Sequence, residues 1–271
     1  MKISIITVTL NAGATIRRAL ESAKNQMGSF DLEHIIVDGM SADDTVSIIQ
    51  TYPYIAKLIV EPDNGIFDAM NKGIQQATGT IIGILNADDV YYNSLILNEI
   101  HLVFKNNPLI DMVYGHVLYH APSNPDWYVR YWQTEAFSTD FFEKGLMIPH
   151  TALFIRKSVY DKEGFYKIKY GVAADYEFMF RTLKINAYKA FFLNKLLVKM
   201  QAGGRSNNGL KTYWQITQAY KAIWNEHQLK YPFQLYYRRP FQKIMEVFNG
   251  LLLNTNHLHI KNKINNSIID F

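Results

Sequence analysis

The sequence predicts an α/β fold, a mainly parallel central sheet flanked by helices and followed by a helical C-terminal extension. Three observations carry that prediction. Apolar runs of strand length alternate with segments of helical spacing through the first half of the chain, as a parallel sheet built from right-handed crossovers requires. The runs closing at Leu10, Val37 and Leu85 are followed at once by Asn11, Asp38 and Asn86, so buried strands deliver polar groups to the edge where open sheets take ligands. Beyond residue 209 the strand pattern stops and only helical spacing is left.

Composition narrows the class. A chain of 271 residues, 48% hydrophobic and 19% charged, has the content of a folded domain with ample core. It has no cysteine, which excludes disulfides, thiolate zinc sites and a cysteine nucleophile. The basic and then apolar start Met1 to Leu10 is interrupted by Ser4, Thr7 and Thr9 and reads as a first core strand, not as a leader. No stretch reaches the roughly 20 apolar residues that span a bilayer, and the expected setting is cytoplasmic. Charge is uneven: from Lys199 to Phe271 ten Lys or Arg stand against three acids, a net +7, which leaves −3 for residues 1–198.

In chain order, residues 2–10 form a strand and Asn11-Ala12-Gly13 a turn. Thr15 to Asn25 form a helix, with Ile16, Ala19, Leu20 and Ala23 on one face. Glu33 to Val37 is a second strand ending in Asp38-Gly39, and Ser41 caps the helix that starts among Asp43, Asp44 and Thr45. Lys57 to Glu61 is a third strand, Ile66 to Ala77 a helix, and the run from Ile81 to Leu85 a fourth strand. Asp111 to Tyr119 is a strand, Pro122 to Pro125 a loop, and Trp127 to Trp132 an aromatic strand that reads as half of a hairpin in preference to a sugar-stacking surface. Met147 to Arg156 is a strand entered through a polar turn that carries His150. A helix runs from Gly171 to Arg181, Ala190 to Met200 is the last strand, and Gly203-Gly204-Arg205-Ser206 is a glycine-rich loop. Tyr213, Ile216, Tyr220, Ile223 and His227 mark one later helix face, and Ile244, Val247, Phe248, Leu251 and Leu252 another.

Asn86-Ala87-Asp88-Asp89 supports two readings. Asn and Asp after a strand are ordinary turn residues. Hard oxygen ligands at a strand end also suit Mg²⁺ or Mn²⁺ bound jointly with substrate phosphates. The chain has neither a Gly-x-Gly-x-x-Gly after the first strand nor a Gly-x-x-x-x-Gly-Lys-Ser/Thr, which argues against dinucleotide oxidoreductases and P-loop enzymes. Asp175 and Glu177 fall in the first turn of a helix, where they complement the dipole or, facing a cleft, offer a general base. Arg205 either closes over a pyrophosphate or belongs to a linker.

Taken together, Thr7-Val8-Thr9-Leu10-Asn11, the Val37 to Thr45 segment, Asp63-Asn64-Gly65-Ile66-Phe67-Asp68-Ala69-Met70-Asn71-Lys72-Gly73, Asn86-Ala87-Asp88-Asp89, Ala174-Asp175-Tyr176-Glu177 and the Gly203 to Ser206 loop resemble the family 2 glycosyltransferases of the GT-A fold, over roughly residues 1 to 210. That resemblance implies an inverting transfer of a sugar from a nucleotide-diphosphate donor, UDP-linked in expectation, to a glycan or lipid-linked acceptor. It implies a nucleotide site at Thr9, Asn11, Asp38, Gly65, Asp68, Lys72, Ala87 and Asp88, a divalent cation (Mn²⁺ or Mg²⁺) on Asp88, and a catalytic base at Asp175. Asp89, His150, Glu177, Gly204, Arg205 and Ser206 are candidates for the acceptor side or the donor loop. Two positions depart from the family pattern: Asn86 stands where many members have the first carboxylate of Asp-x-Asp, and Met70 where many have an Arg. Lys72 is the replacement cation, though as a point charge and not a fork.

The expected organisation is a catalytic domain over residues 1–209, divided into a nucleotide half (1–109) and an acceptor half (110–209), and an extension over 210–271. The alternatives are a non-catalytic nucleotide-sugar or carbohydrate-binding module and a nucleotidyltransferase. The latter needs a basic glycine-rich loop after the first strand, and Asn11-Ala12-Gly13-Ala14-Thr15 has no base before Arg17. The basic, aromatic tail has no nucleic-acid motif. It reads as a peripheral contact with the inner face of a membrane or as packing on the catalytic domain.

Overall fold

The computed structural model describes residues 1–203 and 209–267. In chain order the elements are β1 (Lys2–Thr9), α1 (Ile16–Lys24), β2 (Asp31–Asp38), α2 (Thr45–Gln50), β3 (Lys57–Val60), α3 (Ile66–Gln76), β4 (Ile81–Ile84), β5 (Val90–Tyr91), α4 (Ile96–Asn106), β6 (Met112–Ala121), β7 (Asn124–Trp132), β8 (Leu153–Arg156), α5 (Lys157–Glu163), α6 (Ala174–Met179), β9 (Ala190–Gln201), α7 (Gly209–Glu226) and α8 (Leu235–Ser267). Among the described residues they build one nine-stranded sheet of order β3-β2-β1-β4-β8-β6-β9-β5, with β7 paired to β6. The half β3-β2-β1-β4 is parallel throughout; β8 then runs antiparallel to β4 and β6, and β9 parallel to β6.

The sequence dictates the parallel half directly. β1 is buried on both faces from Ile3 to Thr9, because α3 covers one side and α1 the other. A Cβ at Gly73 would meet Ile6 at 2.4 Å, so this glycine lets α3 lie close on β1. In the second half the expected loop at Pro122 to Pro125 shrinks to the turn Pro122-Ser123, and Pro125 enters β7. That is tolerated because β7 is an edge strand, where no ladder partner needs the missing N–H.

Three expected boundaries are corrected. Ser41 does not cap α2, whose N-cap is Asp44; its hydroxyl donates to the Asp38 carboxylate at 2.6 Å and its oxygen accepts from Asn11 N, not from the N–H groups of the helix end. The strand expected from Met147 begins only at Leu153, after a 3₁₀ turn over His150–Ala152. The helix expected from Gly171 begins at Ala174, because Gly171 has φ 52°, and it loosens into a π-helical stretch at Phe180–Ile185. In the extension, α7 buries Tyr220, Ile223 and Trp224 in the cluster that contains Tyr176 and Phe180. Pro240 leaves the Tyr236 carbonyl without its helical donor, and the Tyr213 hydroxyl supplies one at 2.9 Å.

Glu33 joins three segments of the parallel half. Its carboxylate accepts from Ser4 Oγ on β1 (2.5 Å), from Thr78 N (2.7 Å) and Oγ1 (2.6 Å) before β4, and faces Lys2 Nζ at 2.8 Å. Burial pushes its pKa up, but Lys2, Ser4 and Thr78 outweigh that and hold it at about 2 against an ordinary 4.5. A carboxyl depressed in the folded state adds stability above its unfolded pKa and loses it as pH falls toward the folded one. Glu33→Gln is therefore expected to cost about 2 kcal/mol at pH 7, a fall in Tm of roughly 4–8 °C. In denaturant titrations the gap to the wild type should close as pH drops from 4.5 toward about 2; a gap independent of pH would refute this account of Glu33.

Candidate active site

The site is built where β1, β2 and β4 end. Thr9 and Asp38 are register partners at the close of β1 and β2. Asp38 is fully buried, and its two oxygens accept from Ser41 N (2.7 Å) and Ser41 Oγ (2.6 Å). Ser41 Oγ in turn accepts from Asn11 N at 2.8 Å, and Asn11 Oδ1 accepts from Ala42 N at 2.8 Å. Asn11 adopts φ 51°, which Asn tolerates better than most residues. Asp43 extends the cross-link to Gly13 N and Thr45, so the loops after β1 and β2 form one hydrogen-bonded unit.

At the end of β4, Asn86 Nδ2 donates to Asp89 Oδ2 at 2.9 Å. Asp89 has no exposed surface, and burial together with the neighbouring Asp88 charge raises its pKa well above the usual range. Burial also raises the pKa of Asp88, against the pull of Arg18 and His120. Arg18 is held in place by Gln201 Oε1 at 2.7 Å. Thr9 Oγ1, Asn86 Oδ1 and Asp89 Oδ1 are buried at these adjacent strand ends without a hydrogen-bond partner, which is the signature of an edge completed by something else. No cluster of three His, Cys, Asp or Glu suited to a metal exists among the described residues. A hard divalent ion that shares its shell with a diphosphate needs only one or two carboxylates, so Asp88 beside these oxygens fits such an ion.

The α3 motif divides between the two roles. Gly65 takes φ 108° before the helix, with open space where a Cβ would stand. Asp68 accepts from Asn64 N at 2.9 Å and fixes that turn. Asn71 clasps the backbone of Tyr166 from both sides, at 2.9 and 3.0 Å. Lys72 is the exception to the sequence expectation of a phosphate-facing cation: its ammonium lies 3.0 Å from Glu61 and donates to the Pro62 carbonyl at 2.5 Å. Ala87 packs in the apolar cluster of Ile16, Leu20 and Ile36, so any contact it offers a ligand is through its backbone.

Asp175, in the first turn of α6, is brought to within 3.5 Å of His150 Nδ1 by the 3₁₀ turn before β8. Asp175 Oδ1 accepts from Tyr176 N at 2.7 Å. His150 Nε2 is buried without a partner, and the ring lies against Phe67 of α3. Glu177 departs from the expectation that it faces a ligand. It is 1% exposed and turned inward, bound by Arg181 Nε at 2.9 Å and Nη2 at 3.2 Å and by Lys167 at 2.9 Å. Gly204, Arg205 and Ser206 lie outside the described residues. Arg18 and His120, which reach Asp88 from α1 and β6, carried no signal in the sequence, because the fold alone brings them there.

Residues 4–161 match the family model of glycosyl transferase family 2. The chain belongs to that family. It is 31% identical over 210 residues to the PGL/p-HBAD biosynthesis glycosyltransferase of Mycobacterium bovis, covering 75% of this chain and 78% of the relative. It is 24% identical over 230 residues to an uncharacterized glycosyltransferase of Rickettsia typhi, covering 82% and 70%. The fold is that of S. aureus TarS 1-349 in complex with UDP-GlcNAc, with a TM-score of 0.63 at 18% identity, 83% of this chain and 66% of that one, just under two thirds of its length. It is shared by the mannosyltransferase PcManGT of Pyrobaculum calidifontis in complex with GDP-Man and Mn²⁺, with a TM-score of 0.60 at 16% identity, 96% of this chain and 75% of that one. This chain is accordingly a glycosyltransferase with the GT-A fold.

The inward Glu177 cluster is a support for Asp175. Removing one partner of a buried ion pair leaves the other uncompensated, at roughly 3–5 kcal/mol. Glu177→Gln is expected to lose that much stability in urea titration, and Glu177→Leu combined with Arg181→Leu less than the sum of the single changes. Additive losses would mean that the two charges act separately.

Proposed function

We propose that the chain is an inverting glycosyltransferase that moves a hexosyl or hexosaminyl group from a UDP-linked donor to a hydroxyl of a glycan or lipid-linked acceptor in cell-surface glycan synthesis. The observation that carries the reading is Asp175, a carboxylate at a helix start with His150 Nδ1 at 3.5 Å and an otherwise apolar surround. Names of similar proteins support the direction: one relative belongs to PGL/p-HBAD biosynthesis, and solved neighbours hold UDP-GlcNAc or GDP-Man. The proposed organisation is a catalytic unit over residues 1–209, with nucleotide and acceptor halves at 1–109 and 110–209, and an extension over 210–271.

The chemistry follows from the parts. Transfer needs a base to take the acceptor proton while the acceptor oxygen attacks the anomeric carbon, and Asp175 is the carboxylate available. His150 keeps Asp175 Oδ2 in place beside it. One base on the face opposite the leaving group gives direct displacement, hence inversion. The loops after β1 and β2, through Thr9, Asn11 and Asp38, hold the nucleoside, and Gly65, Asp68 and Ala87 shape its surroundings. Asp88 would hold a divalent cation, Mn²⁺ or Mg²⁺, which when bound stabilises the charge of the departing diphosphate as a Lewis acid.

General base help is worth roughly 10² to 10⁴ in rate. Asp175→Asn is expected to keep donor affinity, read by calorimetry with UDP-sugars, and to lose transfer by that factor; near-normal transfer would remove the assignment. Asp88→Ala tests the other half of the site. Nucleotide affinity of the wild type should rise when Mn²⁺ is added and that of the variant should not, whereas equal titrations with and without Mn²⁺ in both proteins would remove the metal from Asp88.

A further inference from the structure

Helix α8 is amphipathic, but it faces the protein with its polar side. Gly250 lies so close to β7 that a Cβ there would meet Arg130 N at 2.5 Å. On the same side Glu246 binds Arg130 at 2.5 Å, and Asn254 accepts from Tyr128 N at 2.8 Å and donates to Tyr128 O at 2.7 Å. Arg239 lies 4.0 Å over the Tyr220 ring. The opposite side carries Tyr237, Phe241, Ile244, Phe248 and Leu251, spaced four and three residues apart so that they form one stripe. These are 59%, 62%, 65%, 54% and 43% exposed. Phe233, just before the helix, is 79% exposed. A free helix of this pattern would roll to bury the stripe; the Gly250 approach and the Asn254 clasp hold it turned outward. Contiguous apolar surface of this kind marks a place where something else docks.

We infer that the outward stripe of α8 seats the protein on an anionic lipid bilayer. Charge selects this occupant. Glu246, the one acid of α8, is turned inward and paired with Arg130, so no carboxylate of α8 faces outward. Arg238 beside the stripe and Lys230 in the preceding turn are exposed, within a C-terminal segment of net +7. Phe and Tyr mixed with Arg and Lys are the residues that settle at the headgroup boundary, and no described helix is long and apolar enough to cross it. The four-three spacing also suits a helix from a second copy, but that partner would meet Arg238 with no acid to pair it.

The placement serves the site. Arg239 lies on Tyr220, and Tyr220 stacks on Tyr176 at 3.6 Å between ring centroids, next to Asp175. A docked α8 therefore fixes the carboxylate at a set attitude to the bilayer, which is useful to an acceptor anchored there; that last step alone rests on the function proposed above.

The test is flotation of the full chain with phosphatidylcholine vesicles, with and without phosphatidylglycerol, set against the triple variant Phe241→Ser, Ile244→Ser, Phe248→Ser. All three residues are exposed, so the variant should keep its Tm and its UDP affinity. The wild type should float with the anionic vesicles, less with neutral ones or at high salt, and the variant should lose about tenfold in partitioning. Equal flotation of the two proteins, or equal binding to neutral and anionic vesicles, would overturn the inference. So would light scattering that finds a dimer of the wild type and a monomer of the variant without vesicle binding. Flotation uses neither donor nor acceptor, so its failure and a failure of the transfer assay are read separately.

Discussion

The buried charge of Glu177 is the constraint on which the surroundings of α6 depend. Water is excluded from this carboxylate, and Arg181 and Lys167 replace its hydration. The same Arg181 also donates to the Glu163 and Phe165 carbonyls, so the loop from Glu163 to Tyr170 is gathered around α6. Lys167 reaches on to Glu226 at 2.9 Å, and bonds from Tyr170, Lys169 and Lys167 hold the Glu226 pKa at about 2. A line of alternating charge thus runs from α6 to the end of α7. Asp175 lies two residues before its anchor, and its position is inherited from that line. A carboxylate whose supporting residues are fixed in this way would, as the base proposed above, lose little to rearrangement when substrate arrives.

The edge where β1, β2 and β4 end is governed by the opposite condition, carboxyls buried with little nearby to balance a charge on them. Asp88 and Asp89 are adjacent, burial raises the pKa of both and so favours their neutral forms, and Arg18 and His120 are the charges that pull Asp88 back toward ionisation. Lys72 is spent on Glu61 and Pro62. A cation brought to this edge would favour the ionised forms of both. On the function proposed above, a divalent cation would screen ionised Asp88 from a diphosphate, and the unpaired oxygens of Asn86 and Asp89 are the hard donors such a cation prefers. Those unpaired oxygens, more than the Asp-x-Asp pattern the edge imperfectly matches, support the divalent ion proposed above.

What the sequence made legible is what depends on local pattern. Continuous apolar runs gave β1, β2 and β4, and the polar residue closing each run gave the site edge, because a strand buried on both faces has no other place for Asp38 or Asn86. The α3 motif was legible as a motif but not in its division of labour. That Asn71 clasps Tyr166 while Lys72 turns to Glu61 depends on segments far away in the chain. Glu177 looked like a residue of the cleft because helix spacing says which residues share a face, and the location of Arg181 and Lys167 then decides whether that face is wet. Arg18 and His120 left no trace, since neither the start of α1 nor the end of β6 encodes in its own pattern that it comes near Asp88.

Helix α8 extends the same lesson to the surface. Helical spacing marked Ile244, Val247, Phe248, Leu251 and Leu252 as one face and left open whether it meets a membrane or packs on the catalytic domain; the outward stripe shares Ile244, Phe248 and Leu251 with that set and adds Tyr237 and Phe241. Packing direction is set by which side can approach the sheet most closely. Gly250 against Arg130 and the paired bonds of Asn254 to Tyr128 give the polar side a fit that the bulky stripe of Phe241 and Phe248 could not achieve. Arg130 completes the fit by lying 4.8 Å over both Tyr119 and Trp132, so Glu246 of α8 meets a guanidinium already held in place by two rings. Tyr119 in turn feels the charges of Asp89 and Asp175 as well as those of Arg130 and Glu246. Arg130, held by Glu246 of α8 and lying over Tyr119, thus links the inner side of the helix to a strand of the central sheet, and the orientation of α8 follows from that packing.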